Sequence, residues 1–283
     1  MMRFALLLLV CTLTASCSGA IDADPALWRV QDREGHRGWL FGTIHSSDRP
    51  LAWRTPPVAR ALEDAGSIMV EVGNVADDAA LAATFAQLAR SADRPALTRR
   101  VPPAARPALA ALLRKAGYGD DDFAAMDTWA AALTLAKAHG AEQNPRNGVD
   151  RAVIAAAQGR PVLELEGAAA QLSLFDALPE REQGDLLAAV ATEATQPSRD
   201  LAAAWRRGDM TAIEAETRAG LLADPELREV LFTGRNRRWA ARVAQAIHGG
   251  RAPFVAVGAA HMAGPDGLPA MLAQQGFTVT RIK

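Results

Sequence analysis

Short apolar runs alternate along this chain with longer, alanine-rich amphipathic segments. The runs at 27–30 and 38–44 flank a polar turn and predict a β-hairpin. Four later runs predict further strands, at 67–72, 161–166, 254–258 and 277–282.

The segments between these strands have helical patterns, several of them opened by proline. They predict helices at 56–65, 79–90, 103–116, 123–139, 149–157 and 268–275. Residues 169–247 are mostly helical in pattern, with breaks near Pro179, Pro197, Gly208 and Pro225. Strands alternating with helices favour right-handed crossovers and parallel pairing, but this stretch has too few strands to continue the alternation. We therefore predict an α/β fold with a largely parallel central sheet, flanking helices and a helical insertion or cap.

The first twenty residues indicate export. Arg3 precedes a short apolar run, and the small residues before Cys17 resemble a bacterial lipobox, in which the cysteine is acylated. Ordinary cleavage after Ala20 also fits. We expect a lipoprotein-type signal peptide over 1–16, a linker over 17–26 and one domain over 27–283. The expected location is the periplasm, or the outer membrane through a lipid on Cys17, which would be the chain's one membrane contact.

The amino-acid composition argues against several kinds of site and partner. Both cysteines, Cys11 and Cys17, lie in the leader, so the mature domain offers no thiol for a disulfide, a nucleophile or a thiolate metal site. The formal net charge is −1 and no basic patch stands out, so we expect no nucleic-acid partner.

Two matching Gly-x-x-His elements lie at opposite ends of the domain, each directly after an apolar run. They are Gly42-x-x-His45 and Gly258-x-x-His261. The carboxyl end of a buried strand is where open α/β sheets place ligand-binding and catalytic groups. We expect folding to bring the two imidazoles together.

Acidic residues inside apolar runs are the second unusual signal. An isolated, ionised carboxylate at Glu71 would lower the stability of the fold by several kcal/mol, or the group would become protonated. It is either a metal ligand or general base beside the histidines, or a strand-end residue facing solvent or an arginine. Glu164 and Glu166 alternate along their run and so face one side of it. Of these two, Glu166 is the better site candidate.

Arg235 and Asn236 precede Trp239 on a predicted helix. They are either a solvated helix face with one anchoring tryptophan, or a guanidinium that holds a carboxylate bidentately. Asp150, just inside a helix start, is most simply a first-turn charge that the helix dipole favours.

The remaining histidines carry no site prediction. His36 lies in the predicted turn, and His139 and His248 lie at helix ends that suit a cation. We expect none of them to be a ligand.

These residues together resemble the TraB/PrgY/GumN family, most closely its GumN branch, which is related to the Tiki metalloproteases. More remote relatives are the erythromycin esterases and the haem-uptake protein ChaN. The motifs that carry the resemblance span residues 28–282: 40–45, 70–72, 148–150, 165–167, Arg235-Asn236-x-x-Trp239, 257–264, 267–268 and 276–279. Gly167 replaces a common Thr or Ser, and Ala259 and Met262 replace the more usual Gly and Leu.

The resemblance implies a metal-dependent peptidase-like hydrolase. His45, His261 and Glu71 would hold a divalent ion (manganese, cobalt or zinc), with Glu71 as ligand or base and no organic cofactor. Glu166, Arg235 and Asn236 would support the site or bind a peptide or small-molecule substrate. Two alternatives stay open: metal-independent hydrolysis of an ester or lactone with a histidine base, and a non-catalytic envelope protein that binds a ligand, metal or partner.

Overall fold

Strands of the computed structural model form one main sheet and one small pair. The structure describes residues 19–140, 143–196 and 200–282. Its strands are β1 (Ile21–Asp22), β2 (Leu27–Gln31), β3 (Arg37–Thr43), β4 (Leu51–Ala52), β5 (Ser67–Val70), β6 (Val162–Glu164), β7 (Pro253–Gly258) and β8 (Thr278–Ile282).

The main sheet has six described strands in the order β6-β5-β7-β3-β2-β8. The strands β6, β5, β7 and β3 pair in parallel, whereas β2 is antiparallel to both β3 and β8. The hairpin of β2 and β3 pairs Leu27 with Phe41 and Gln31 with Arg37. The predicted α/β fold with a largely parallel sheet is confirmed.

Helices cover both faces of the sheet and form a separate layer. They are α1 (Pro56–Asp64), α2 (Asp78–Leu88), α3 (Arg106–Ala116), α4 (Thr128–His139), α5 (Val149–Ala155), α6 (Ala168–Asp176), α7 (Glu180–Glu193), α8 (Leu201–Arg206), α9 (Met210–Glu216), α10 (Pro225–Arg228), α11 (Gly234–His248) and α12 (Leu268–Gln274). A π-helical turn, Glu229–Thr233, joins α10 to α11. Short 3₁₀ turns include Ala259–Met262, directly after β7.

Side-chain alternation divides the core into two clusters, one on each face of the sheet. Phe41 and Phe254 face helices α1, α5, α8 and α9, whereas Leu40 and Val255 face α11 and α12. Coverage of both faces explains why the parallel strands are almost continuously apolar.

A third cluster forms a helical cap, but only the first part of the predicted stretch 169–247 belongs to it, because α8, α9 and α11 pack on the sheet instead. The buried side chains of the cap come mainly from α3, α4 and α7, with α2 and α6 packed beside them, and Trp129 is fully buried at its centre. The cap is built from two stretches of the chain, 78–139 and 168–196, which precede and follow β6 in the sequence.

Several element boundaries differ from the sequence prediction by one to five residues, and two of these differences have a clear structural cause. The helix predicted over 123–139 begins only at Thr128, because the guanidinium of buried Arg100 takes the carbonyl oxygens of Phe123 and Met126. The strand predicted over 161–166 ends at Glu164. Beyond it the backbone turns, because the N–H groups of Glu166 and Gly167 both donate to the carbonyl oxygen of Glu71. The predicted break at Pro197 lies outside the described residues.

Packing begins before residue 27. The strand Ile21–Asp22 pairs with Leu51–Ala52, and Ala23 and Ala26 are buried. The later part of the expected linker therefore contacts the domain, whereas the expected signal peptide and Cys17 lie outside the described residues. Among the helices that the structure describes, none is long and apolar enough to cross a membrane.

Candidate functional site

The candidate site lies where the four parallel strands end. His45 follows β3, Glu71 follows β5, Glu166 follows β6 and His261 follows β7. Because parallel strands place their carboxyl ends at the same sheet edge, these side chains share one crevice. The fold thus gathers residues that are up to 216 positions apart in the chain.

His45 is held by an acidic residue of α5. Its Nδ1 donates to Oδ2 of Asp150 at 2.5 Å, and this hydrogen bond raises the pKa of His45 to about 9. The backbone beside it is closely packed, because a Cβ on Gly148 would lie 2.4 Å from the carbonyl oxygen of His45. The imidazole nevertheless opens to solvent, with 70% of its side chain exposed. Its Nε2 is therefore oriented and accessible.

Glu71 is a buried carboxylate with donors on both oxygens. Oε2 accepts from Nη2 of Arg235 at 2.8 Å and from Nε2 of Gln171 at 3.3 Å, and Oε1 accepts from the N–H of Gly258 at 2.7 Å. Only 10% of its side chain is exposed. The expectation that Glu71 faces solvent is therefore wrong. The other possibility, that the carboxylate faces an arginine, agrees with its contact to Arg235.

Neighbouring charges control the ionisation of Glu71. Burial by itself raises the pKa of this carboxyl group, but charge interactions with His261, His45 and Arg235 outweigh burial and lower the pKa to about 2. Because His261 is neutral at pH 7, the cations that stabilise the carboxylate at that pH are Arg235 and His45.

Arg235 joins two buried carboxylates. Its Nη2 lies 2.8 Å from Glu71 and 3.0 Å from Glu166, and its Nε donates to both oxygens of Glu166 at 3.1 Å. The guanidinium also lies over the ring of Trp239, 4.5 Å from its centroid. Arg235 and Asn236 are both buried, so the solvated-face reading of this helix is wrong.

His261 is buried between aromatic rings and is fixed in one tautomer. Its ring lies 5.3 Å from Phe232, which belongs to the π-helical turn, and 4.6 Å from Trp239. Nδ1 donates to Oδ1 of Asn236 at 2.6 Å, and the Asn236 amide is oriented by its own donation to the carbonyl oxygen of Asp266. Burial lowers the pKa of His261 to about 3, so the ring is neutral and its Nε2 carries a lone pair.

The backbone of Gly258 forms a small hollow among these groups. A Cβ placed on Gly258 would lie 3.4 Å from Oε1 of Glu71, 3.6 Å from Nε2 of His45 and 3.8 Å from Cδ2 of His261. The two Gly-x-x-His elements and Glu71 therefore meet at one point. A side chain at residue 258 would fill the space that they surround.

A cleft of about 230 Å³ opens from this hollow. Its lining comprises Thr43, His45, Val70, Glu71, Val72, Val75, Asp150, Gln171, Ala256 and Val257. Two lining atoms, Oγ1 of Thr43 and Oδ1 of Asp150, are buried without a hydrogen-bond partner in the structure. Because buried polar atoms are rarely left unpaired, these two fit a bound polar ligand or water.

The donor set fits a divalent ion in part. His45 and His261 each bond through Nδ1 to an oxygen acceptor, as metal-ligating histidines usually do. However, Nη1 of Arg235 lies 3.4 Å from Nε2 of His261 and faces the lone pair through which this nitrogen would bind a metal ion. Within the described residues, ligand atoms of His45, Glu71 and His261 do not all lie within 4.8 Å of one another. The fit is therefore to Glu71 and to His45, which an ion would bind only by displacing the proton that the imidazole carries at pH 7. His261 is excluded while Arg235 keeps this position.

Sequence reasoning underrated Asp150 and missed Gln171 and Thr43. Asp150 is at once a first-turn residue of α5 and the partner of His45, and only the second role required the fold. Gln171, on a cap helix, and Thr43, the last residue of β3, carried no distinctive signal. Gly167 has a φ of +86°, a conformation that side chains disfavour.

Comparison with known proteins assigns the family. No curated protein and no solved structure matches this chain. The family model described as "TraB/PrgY/gumN family" matches residues 26–281, nearly the whole chain. This chain is therefore a member of the TraB/PrgY/gumN family.

Proposed function

We propose that this chain is a divalent-metal-dependent hydrolase of the bacterial envelope, acting on peptides or other small carbonyl compounds. The observation that carries the proposal is the hollow at Gly258, where Nε2 of His45 and Oε1 of Glu71 face the same small space. Imidazole and carboxylate ligands without thiolate suit manganese, cobalt or zinc. A metal ion held there would polarise a carbonyl group and lower the pKa of bound water.

The surrounding residues have separable roles in this proposal. Asp150 fixes the His45 ring so that Nε2 faces the cleft, and Arg235 holds the Glu71 carboxylate through Oε2, leaving Oε1 toward the hollow. Glu166 positions Arg235 from its other side. The unpaired oxygens of Thr43 and Asp150 are placed to receive hydrogen bonds from a substrate.

His261 is the third proposed ligand, and it is conditional on a movement of Arg235. Asn236 holds its ring through Nδ1, which leaves Nε2 as the donor atom. That atom becomes available when Nη1 of Arg235 moves away.

Metal content and hydrolysis measured on the same variants test the proposal. We expect the full chain, loaded with Mn²⁺, Co²⁺ or Zn²⁺, to cleave peptide or ester substrates and to lose activity on chelation. The His45→Ala, His261→Ala double variant should lose both activity and one equivalent of metal. His139→Ala, which alters a helix-end histidine beside Lys115, is the matched control and should change neither. Full activity in the double variant would contradict the proposal.

Metal-independent hydrolysis is the second candidate. The contact between Arg235 and His261 favours it, because an arginine within 3.4 Å of a ligand nitrogen repels a cation. The Asp150–His45 pair would then act directly on the substrate by proton transfer. Chelator-resistant ester hydrolysis that is lost in Asp150→Asn selects this mechanism. Tight binding of metal without turnover selects a non-catalytic role instead.

Export and lipidation belong to the same proposal. The basic start, the short apolar run and the small residues before Cys17 support a lipoprotein signal peptide. Mass spectrometry of the mature N-terminus tests this, with Cys17→Ser as the variant that should lose the lipid. A mature chain beginning after Ala20 would select a soluble periplasmic form.

A further inference from the structure

A second cluster of metal-binding residue types lies at the opposite edge of the sheet. The hairpin between β2 and β3 contributes Asp32, Glu34 and His36, and the last residue of α11 contributes His248. Since β3 spans seven residues, about 20 Å of strand separates this edge from the His45 edge. This cluster is thus distinct from the proposed active site.

Asp32 is the centre of the cluster. Its Oδ2 accepts from Nδ1 of His36 at 2.9 Å and from Nδ1 of His248 at 3.0 Å, and its Oδ1 accepts from the backbone N–H of His36 at 2.8 Å. Its side chain is only 2% exposed. Burial opposes ionisation, but the hydrogen bonds from both imidazoles outweigh it and lower the pKa of Asp32.

Three of these residues have converging ligand atoms. One atom each from Asp32, Glu34 and His248 lie within 4.8 Å of one another, a separation that a single ion can bridge. They line a cavity of about 130 Å³ together with Arg33, Gln275, Gly276 and Phe277. This is a site with a buried carboxylate, an imidazole and open space beside them.

The charge and rigidity of the surroundings favour a cation. Two carboxylates outweigh the single guanidinium of Arg33, and His248 ends a fifteen-residue helix whose dipole is negative at that terminus. The hairpin is fixed by the bond from the Asp32 N–H to the His36 carbonyl oxygen and by Gly35 at a φ of +92°. His248 is held against Phe277, with ring centroids 4.9 Å apart. Asp32 and His248 are therefore held in place, and Glu34 lies in the turn beside them.

We propose that Asp32, Glu34 and His248 bind a divalent transition-metal ion at the amino edge of the parallel strands. Imidazole with two carboxylates and no thiolate suits Zn²⁺, Co²⁺ or Ni²⁺. The ion replaces the hydrogen bond between His248 and Asp32, and the imidazole proton moves to the other ring nitrogen or leaves to solvent. Bound metal would tie the hairpin to the end of α11. This site goes beyond the proposed hydrolase function and does not depend on it.

Metal stoichiometry in a crossed set of variants tests the site. The full chain, stripped by chelator and titrated with Co²⁺, should take up one equivalent that is lost in His248→Ala and weakened at least about 10-fold in Glu34→Gln. The visible absorption of Co²⁺ reports the ligand field, and calorimetry reports the number of sites. Because Glu34 is exposed, Glu34→Gln keeps the test valid should His248→Ala fold poorly. His139→Ala, at the end of another helix, is the matched control and should change nothing.

The outcomes of this test are independent of the active site. His45→Ala should leave the equivalent at His248 in place, and His248→Ala should leave hydrolysis unchanged. Full Co²⁺ uptake in both His248→Ala and Glu34→Gln would overturn the proposal, as would a wild type that binds no ion sensitive to either change. In that case, Asp32 serves only to join the hairpin to α11 by hydrogen bonds.

Discussion

Replacing Arg235 by methionine should cost this protein a large part of its stability. The substitution keeps most of the side-chain volume but leaves the carboxylates of Glu71 and Glu166 buried without their shared cation. Removing one partner of a buried ion pair typically costs about 3–5 kcal/mol. The side chains involved are at most 10% exposed, so solvent screening does not reduce this figure much. The lost cation–π contact with Trp239 acts in the same direction.

The pH dependence reports the stabilisation that Glu71 receives from all of its neighbours, of which Arg235 supplies one part. Charge interactions with His261, His45 and Arg235, in that order, lower the pKa of Glu71 from 4.5 to about 2, and the whole shift corresponds to about 3 kcal/mol of stabilisation of the ionised form. A depressed pKa contributes stability that is fully present above pH 4.5 and disappears as the pH falls toward 2. The difference in free energy of unfolding between the wild type and Arg235→Met should therefore be larger at pH 7 than at pH 3.

Urea denaturation monitored by tryptophan fluorescence and circular dichroism measures both effects. Arg237→Met is the matched control on the same helix, because Arg237 is 60% exposed and pairs with Glu229 at the surface. This control should cost less than about 1 kcal/mol. Adding Glu71→Gln and Glu166→Gln to Arg235→Met should recover part of the loss. A cost below about 1 kcal/mol for Arg235→Met, or one that does not shrink at low pH, would refute the reasoning.

Three further substitutions test metal binding at the candidate site separately from the packing around it. Gly258→Ala should fold normally, because its Cβ meets only contacts of 3.4 Å or more, but should fill the hollow beside His45 and abolish metal binding there, as measured by calorimetry. Gly42→Ala should lower the melting temperature, since its Cβ would lie 2.9 Å from Cα of Ala259, with a cost of about 1–3 kcal/mol. Asp150→Asn should weaken metal binding about 10–100-fold with little change in unfolding free energy. An unchanged metal affinity in either Gly258→Ala or Asp150→Asn would count against the proposed ligand geometry.

The arrangement around Glu71 explains how a strand-end glutamate is tolerated in an apolar run. The carboxylate is offset by Arg235 from α11 and by the N–H of Gly258 from the neighbouring strand. The buried pair in turn places Arg235 against His261. The position of Arg235 that stabilises the Glu71 carboxylate is therefore also the one that covers Nε2 of His261, and a movement of Arg235 would change both interactions.

The order of elements followed from the sequence by itself. The alternation of apolar and polar residues at 27–44 determined the hairpin, because the side-chain period of a strand is local and needs no distant partner. The proline-opened helix at Pro56 and the strand before Gly258 follow from the same kind of local signal. Strands separated by helices then favoured a parallel sheet, whose carboxyl edge gathers the Gly-x-x-His elements.

Tertiary structure alone decided which polar groups pair. The bond between His45 and Asp150 spans 105 residues, and that between Arg235 and Glu71 spans 164. The late start of α4 depends on Arg100 reaching carbonyl oxygens more than twenty residues away. Local periodicity specifies which face of an element is buried, but the partner of a buried charge depends on which elements pack against it. For that reason the candidate residues could be identified from the sequence, whereas their hydrogen bonds, their burial and their ionisation depended on the fold.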